Sequence, residues 1–123
     1  MELIQNYISG NYVIPRSIDR LNLYNPATGK VYGELVDSNS EDIQDAVSSA
    51  KDAFASWSGL SFSKRADYIM AIADEIDAQA DTFSELESRD TGKPLSLARS
   101  LDILRSIYNF KFFAKHVKDF KFK

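Results

Sequence analysis

The chain has 123 residues, 44% of them hydrophobic and 27% charged, with 15 basic against 18 acidic side chains and a net charge of −3. That length suits one domain burying roughly two-thirds of the surface its unfolded chain exposes, and the composition excludes disorder over most of it. The absence of cysteine excludes disulfides, thiolate metal sites and thiol nucleophiles, and the acidic balance gives no general pull toward nucleic acid or anionic membrane.

The opening segment MELIQNYISG carries Glu2 and no long apolar run, so it does not read as a signal peptide. No run of 18 apolar residues is available to span a bilayer. A cytoplasmic location is expected. Asn6 to Val13 alternates around a tight turn at Ser9-Gly10-Asn11. Leu21–Tyr24 and Lys30–Val36 read as two strands, joined by Asn25-Pro26-Ala27-Thr28-Gly29, where Gly29 supplies positive φ.

From Ser38 the period becomes helical. Ser40 is the expected N-cap, with Glu41 and Asp42 at the positive end of the helix dipole. Ile43, Ala46, Val47, Ala50, Phe54 and Trp57 form one stripe, and Ser58-Gly59 ends the helix. A second helix from about Phe62 presents Ala66, Ile69, Met70, Ala73 and Ile76 inward, with Asp67, Asp74 and Asp77 outside or at its edges. A third runs from about Ala80 to Arg89, with Phe83, Leu86 and Ala80 inward. Glu85 and Arg89 stand at ion-pair spacing on it.

Gly92 closes the third helix in the left-handed conformation, and Pro94 fits the first position of the next. That last helix runs to about Lys118, with a stripe of Leu97, Leu101, Leu104 and Tyr108 and with Ala98 and Ile107 beside it. Further on, Phe110, Phe112 and Phe113 make it apolar on more than one side. A helix apolar all round belongs in the interior of something larger, so a large exposed apolar patch is expected near Phe110–Phe122. The aromatic group Phe54, Trp57, Phe83, Tyr108, Phe112 and Phe113 reads as core. Together the elements predict an α+β fold, mainly helical. It has β-hairpins over 1–37, about four helices over 38–119, and a truncated strand or tail at 120–123. The whole, 1–123, forms a single incomplete domain.

Signs of chemistry are sparse. The glycines are scattered, and Thr91-Gly92-Lys93 lacks the order and the first glycine of a phosphate-binding loop. His116, the lone histidine, reads as a cation near a helix C-terminus, or as a general base if Asp119 orients it. Lys115, Lys118, Lys121 and Lys123, interleaved with Phe120 and Phe122, have the composition of a single-strand nucleic-acid surface. The run is short, and a solvated strand is the expected reading. No catalytic or cofactor-binding residue is assigned.

The segment Glu87–Leu95, ESRDTGKPL, resembles the E-S-x-D-T-G-K-P segment of NAD(P)-dependent aldehyde dehydrogenases. Other stretches follow in the family's order. Tyr7–Val13 is similar to its I-x-G-x-aromatic strand and Tyr24–Val31 to its N-P-A-T-G hairpin. Ala46–Trp57 is similar to its A-V-x-A-A-x-x-A-F-x-x-W helix. Arg65-Ala66 with Ile72-Ala73-Asp74 and Ile76 resembles the next helix, and Asp102-Ile103 with Asn109–Ala114 the last. The D-I…N-F-x-F-F-A form looks most like the branch that oxidises 2-hydroxymuconic or 2-aminomuconic semialdehyde.

The resemblance implies a fragment of the α/β aldehyde dehydrogenase fold. It implies a parent enzyme that uses NAD or NADP, with this chain holding no cofactor by itself. In the family the nucleophilic cysteine, the carboxylate base, the oxyanion donors and the cofactor segment lie beyond residue 123, so the isolated chain is expected to be inactive. Asp102 matches the position of an Asp that holds a cation in some members. The expected partner is the remainder of the enzyme or another copy of the chain, through the C-terminal apolar face, in a homo-oligomer without nucleic acid or membrane. A small stand-alone helical interaction module is the alternative.

Overall fold

The structure, a computed structural model, describes residues 2–118 and 120. Asp119, Lys121, Phe122 and Lys123 lie outside the described residues, and with them the His116–Asp119 pairing and most of the expected terminal strand. The chain falls into two compact units, 1–58 and 59–123.

Among the described residues the first unit holds five strands and one helix: β1 (Glu2–Ile4), β2 (Asn6–Ile8), β3 (Asn11–Val13), β4 (Arg20–Asn25), β5 (Lys30–Val36) and α1 (Ser40–Ser58). β1, β5 and β4 form a sheet in that order, β1 parallel and β4 antiparallel to β5. β2 and β3 form a separate hairpin. Its loop, Ser9-Gly10, takes positive φ at both residues (53° and 80°), the twist that matches a two-residue hairpin. The β4–β5 turn follows its sequence signature. Asn25 Oδ1 accepts from the Ala27 N–H at 2.9 Å, Asn25 O accepts from the Gly29 N–H at 2.8 Å, and Gly29 has φ 67°.

β1 was not expected as a separate strand, and Gly33 is what admits it. Gly33 pairs with Glu2, and a Cβ on Gly33 would stand 2.9 Å from the Glu2 carbonyl oxygen. Backbone, unlike a flexible side chain, cannot swing away. Gly33→Val should therefore detach β1 and destabilise the first unit by about 1–3 kcal/mol, read as a lower urea midpoint and loss of amide protection at Leu3 and Ile4.

α1 begins one residue earlier in its capping than expected. Asn39, not Ser40, is the cap: its Oδ1 accepts from the Glu41 and Asp42 N–H groups at 3.0 Å each. Asp42 Oδ2 accepts in return from the Asn39 N–H at 3.1 Å, which completes a capping box. The α1 stripe does not form a core. Ile43, Val47, Phe54 and Trp57 are all exposed, and Val36 is the buried apolar residue among those described in this unit.

The second unit is helical: α2 (Phe62–Ala78), α3 (Ala80–Thr91), α4 (Leu95–Leu97), a π-helical turn (Ala98–Ile103) and α5 (Leu104–His116). Ser61 caps α2, accepting from the Lys64 N–H at 3.2 Å. α2 packs against α5, and α3 against α4 and the π turn. The α2 face is as the sequence predicts, with Ala66 and Ala73 buried and Ile69, Met70 and Ile76 half-buried. Small residues at the contact let the helix backbones approach. Ion pairs flank the seam: Lys111 to Asp74 and Asp77 (3.1 and 3.0 Å) and Lys118 to Asp67 (2.7 Å).

Two expected buried faces are corrected. In α3 the buried residue is Ser84, its hydroxyl satisfied by Ala80 O at 2.6 Å, while Phe83 and Leu86 are exposed. In the last helix Leu97, Leu101, Leu104 and Tyr108 are exposed, and Ala98, Ile107 and Ala114 are buried. The π turn lets Ala98 share this burial with Ile107 and Ala114. At about 100° per residue, Ala98 and Ile107 would stand about 180° apart on a continuous α-helix. The turn absorbs one surplus residue, rotates the phase, and splits the leucine stripe.

Candidate functional site

The joint 87–95 is built as its sequence suggests, with one shift. Gly92 closes α3 at φ 76°, its N–H donating to Ser88 O at 3.0 Å. Pro94 stands just before the helix as its cap, not inside it. Its carbonyl accepts from the Leu97 and Ala98 N–H groups at 2.9 and 3.1 Å. The short polar side chains close the loop on itself. Ser88 Oγ donates to Lys93 O at 2.6 Å, and Thr91 Oγ1 donates to Glu87 O at 2.7 Å.

This compact turn aims Lys93 at two carboxylates. Its Nζ lies 2.7 Å from Asp102 Oδ2 and 3.3 Å from Glu87 Oε1. Asp102, followed by Glu87, holds the ammonium charged above the usual lysine range, against the opposing effect of partial burial. Asp102 thus meets a lysine. Among the described residues no group of three or more His, Asp or Glu side chains is placed to hold a metal ion. The sequence reading picked out both the 87–95 motif and Asp102 but did not join them through Lys93. The available signal was a lysine between two carboxylates across a helix–turn–helix joint.

His116 lies in the last turn of α5. Its Nδ1 is 2.8 Å from Phe112 O and its ring stacks on Phe112 at 3.9 Å. Between α2 and α5 runs an apolar groove of about 460 Å³, lined by Phe62, Ile69, Phe110, Phe113, Ala114 and Val117 among others. Phe112 and Phe113 meet edge to face at 5.4 Å, and Phe113 is 67% exposed. Over Phe110, Phe112, Phe113 and Phe120 the expected apolar patch is present, while its end at Phe122 lies outside the described residues. The expected aromatic core is not present, because Phe54, Trp57, Phe83, Tyr108, Phe112 and Phe113 are all exposed.

A second polar cluster was missed. Asp42 is 5% exposed and accepts the N–H groups of Arg16 (2.7 Å), Ser17 (3.2 Å) and Asn39 (3.1 Å). These bonds, Arg16 first, hold its carboxyl below the usual aspartate range even though burial opposes ionisation. Arg16 Nε donates to Asp45 Oδ2 at 2.9 Å. The Asn39-x-x-Asp42 spacing was the signal for the cap. Nothing in the sequence announced the pairing with residues 16–17. Among the described residues no helix is long and apolar enough to cross a membrane.

A family model described as "Aldehyde dehydrogenase family" matches residues 12–123. The 2-aminomuconic semialdehyde dehydrogenase of Danio rerio is 40% identical over 115 residues, covering 94% of this chain and 23% of that protein. The 2-hydroxymuconic semialdehyde dehydrogenase of Pseudomonas sp. (strain CF600) is 38% identical over 120 residues, 97% of this chain and 25% of that protein. The NAD+ complex structure of aldehyde dehydrogenase from Bacillus cereus superposes with a TM-score of 0.86 at 33% identity, covering 93% of this chain and 24% of that one. The chain thus spans about a quarter of the length of the relatives it matches, and it corresponds to their N-terminal region. Its resemblance to the muconic semialdehyde branch is carried by those identities, and it belongs to the aldehyde dehydrogenase family.

Proposed function

We propose that this chain is the N-terminal framework of an aldehyde dehydrogenase that oxidises an aldehyde to a carboxylic acid with NAD, and that it carries no catalytic group of its own. A muconic semialdehyde is the substrate class its relatives suggest, and the NAD+-bound relative supports that cofactor in the parent. The parent is a cytoplasmic homo-oligomer. On this reading both units are parts of one incomplete domain. A cation at Asp102 belongs to the same proposal: in this chain that carboxylate faces the Lys93 ammonium, and further oxygen donors would have to come from the parent.

The observation that carries the reading is the exposure of apolar side chains on helices whose sequence demands burial. Phe113, Phe54 and Leu104 are 67%, 66% and 53% exposed. Apolar patches of this kind on a folded chain mark surfaces meant for protein. The partner is the remainder of the enzyme or a second copy, seated on the α2–α5 groove. Sedimentation tests this directly. The isolated chain should associate at micromolar concentration, and Phe110→Lys with Phe113→Lys should return it to a monomer. A wild-type chain monomeric at every concentration would overturn the assignment of the groove.

A further inference from the structure

We infer that Lys93 pins the surplus residue of the last helix in the π turn Ala98–Ile103, making it a positioning residue for α5. The two ends of this helix are fixed by different neighbours. Ala98 is fully buried where the π turn meets α3, and Ile107 and Ala114 are buried where α5 meets α2. One residue too many separates these contacts for a continuous α-helix, and a π turn takes up such a residue at the cost of a wider, less regular hydrogen-bond ladder. A turn of this kind can slide along a helix unless something holds it.

Asp102 is held inside this one by both its backbone and its side chain. Its Oδ2 accepts from Lys93 Nζ at 2.7 Å, its carbonyl accepts from Ser106 Oγ at 2.9 Å, and Glu87 draws the same ammonium from α3 at 3.3 Å. The 87–95 joint therefore does more than connect two helices. Its lysine reaches over the turn it begins and fixes the rotation of the helix that follows. That rotation decides which side of α5 turns its Phe110 and Phe113 toward the α2 groove. The register of the helix can be tested without the proposed parent function; only the consequence for docking rests on that reading.

Hydrogen exchange read residue by residue on the full chain tests this. Lys93→Met should raise exchange of amides 99–106 about fivefold, the effect expected of a half-exposed ion pair, and leave 66–76 in α2 unchanged. Deleting Ser100, an exposed residue of the turn, removes the surplus. The shortened helix should keep Ala98, Ile107 and Ala114 buried, and in it Lys93→Met should no longer alter exchange. Unchanged exchange at 99–106 in a folded Lys93→Met chain would overturn the inference. So would loss of folding on deletion of Ser100.

Discussion

Ile107→Ala should destabilise the second unit by about 3 kcal/mol, and Leu104→Ala by less than about 1 kcal/mol, although the two residues sit one helical turn apart and have the same number of carbon atoms. Ile107 is 6% exposed and Leu104 53%. Truncating a buried isoleucine loses transfer free energy and leaves a cavity, together about 2–5 kcal/mol, while an exposed leucine gives up little. A straight helix drawn through Leu97, Leu101, Leu104 and Tyr108 predicts the opposite ranking. Urea unfolding of the two variants therefore reads the phase that the π turn sets. Equal costs, or a larger cost at Leu104, would restore the straight helix.

Asp42→Ala should lower the thermal midpoint of the first unit by about 10 °C or more, in the range expected for a small domain that loses several partnered groups at once. Its carboxylate serves the N–H groups of Arg16, Ser17 and Asn39, and alanine leaves all three without that acceptor. Asp42→Asn keeps one carbonyl oxygen and should fall between alanine and wild type. The same geometry sets a pH dependence. The native carboxyl titrates below its ordinary value of 3.8, so the unfolded chain takes up the proton first as pH falls. The contribution is complete above about pH 5, begins to fall as pH drops through that ordinary value, and is lost once pH passes the lower native value. An acid midpoint unmoved by Asp42→Ala would contradict this.

Local chemistry made much of the backbone legible. Positive φ at Gly29 and Gly92 and the buried face of α2 each follow from a few neighbouring residues and a single period. β1 was not legible, because it depends on the missing Cβ of Gly33 meeting Glu2, 31 residues away in sequence. The last helix misled because its leucines obey α-helical spacing while the structure inserts a π turn, and no short window reveals which of two competing stripes a neighbour will bury. Phe83 and Leu86 misled for a related reason. Their chemistry asks for burial, but the face of α3 that is buried carries the small Ser84.

For the site, the 87–95 motif and Asp102 were separately visible. Their junction was not, since it needs Lys93 to reach across the turn to a residue on the next helix. The family itself was the most legible feature, because it rests on ordered short motifs and not on any one contact.

The most direct measurement is NAD(P)H production by pure, mass-verified residues 1–123 supplied with muconic semialdehydes and simple aldehydes. The account predicts no turnover, since the chain has no cysteine to attack the carbonyl, together with turnover once the chain is carried on to the length of its relatives. Reduction of cofactor by residues 1–123 alone would contradict it.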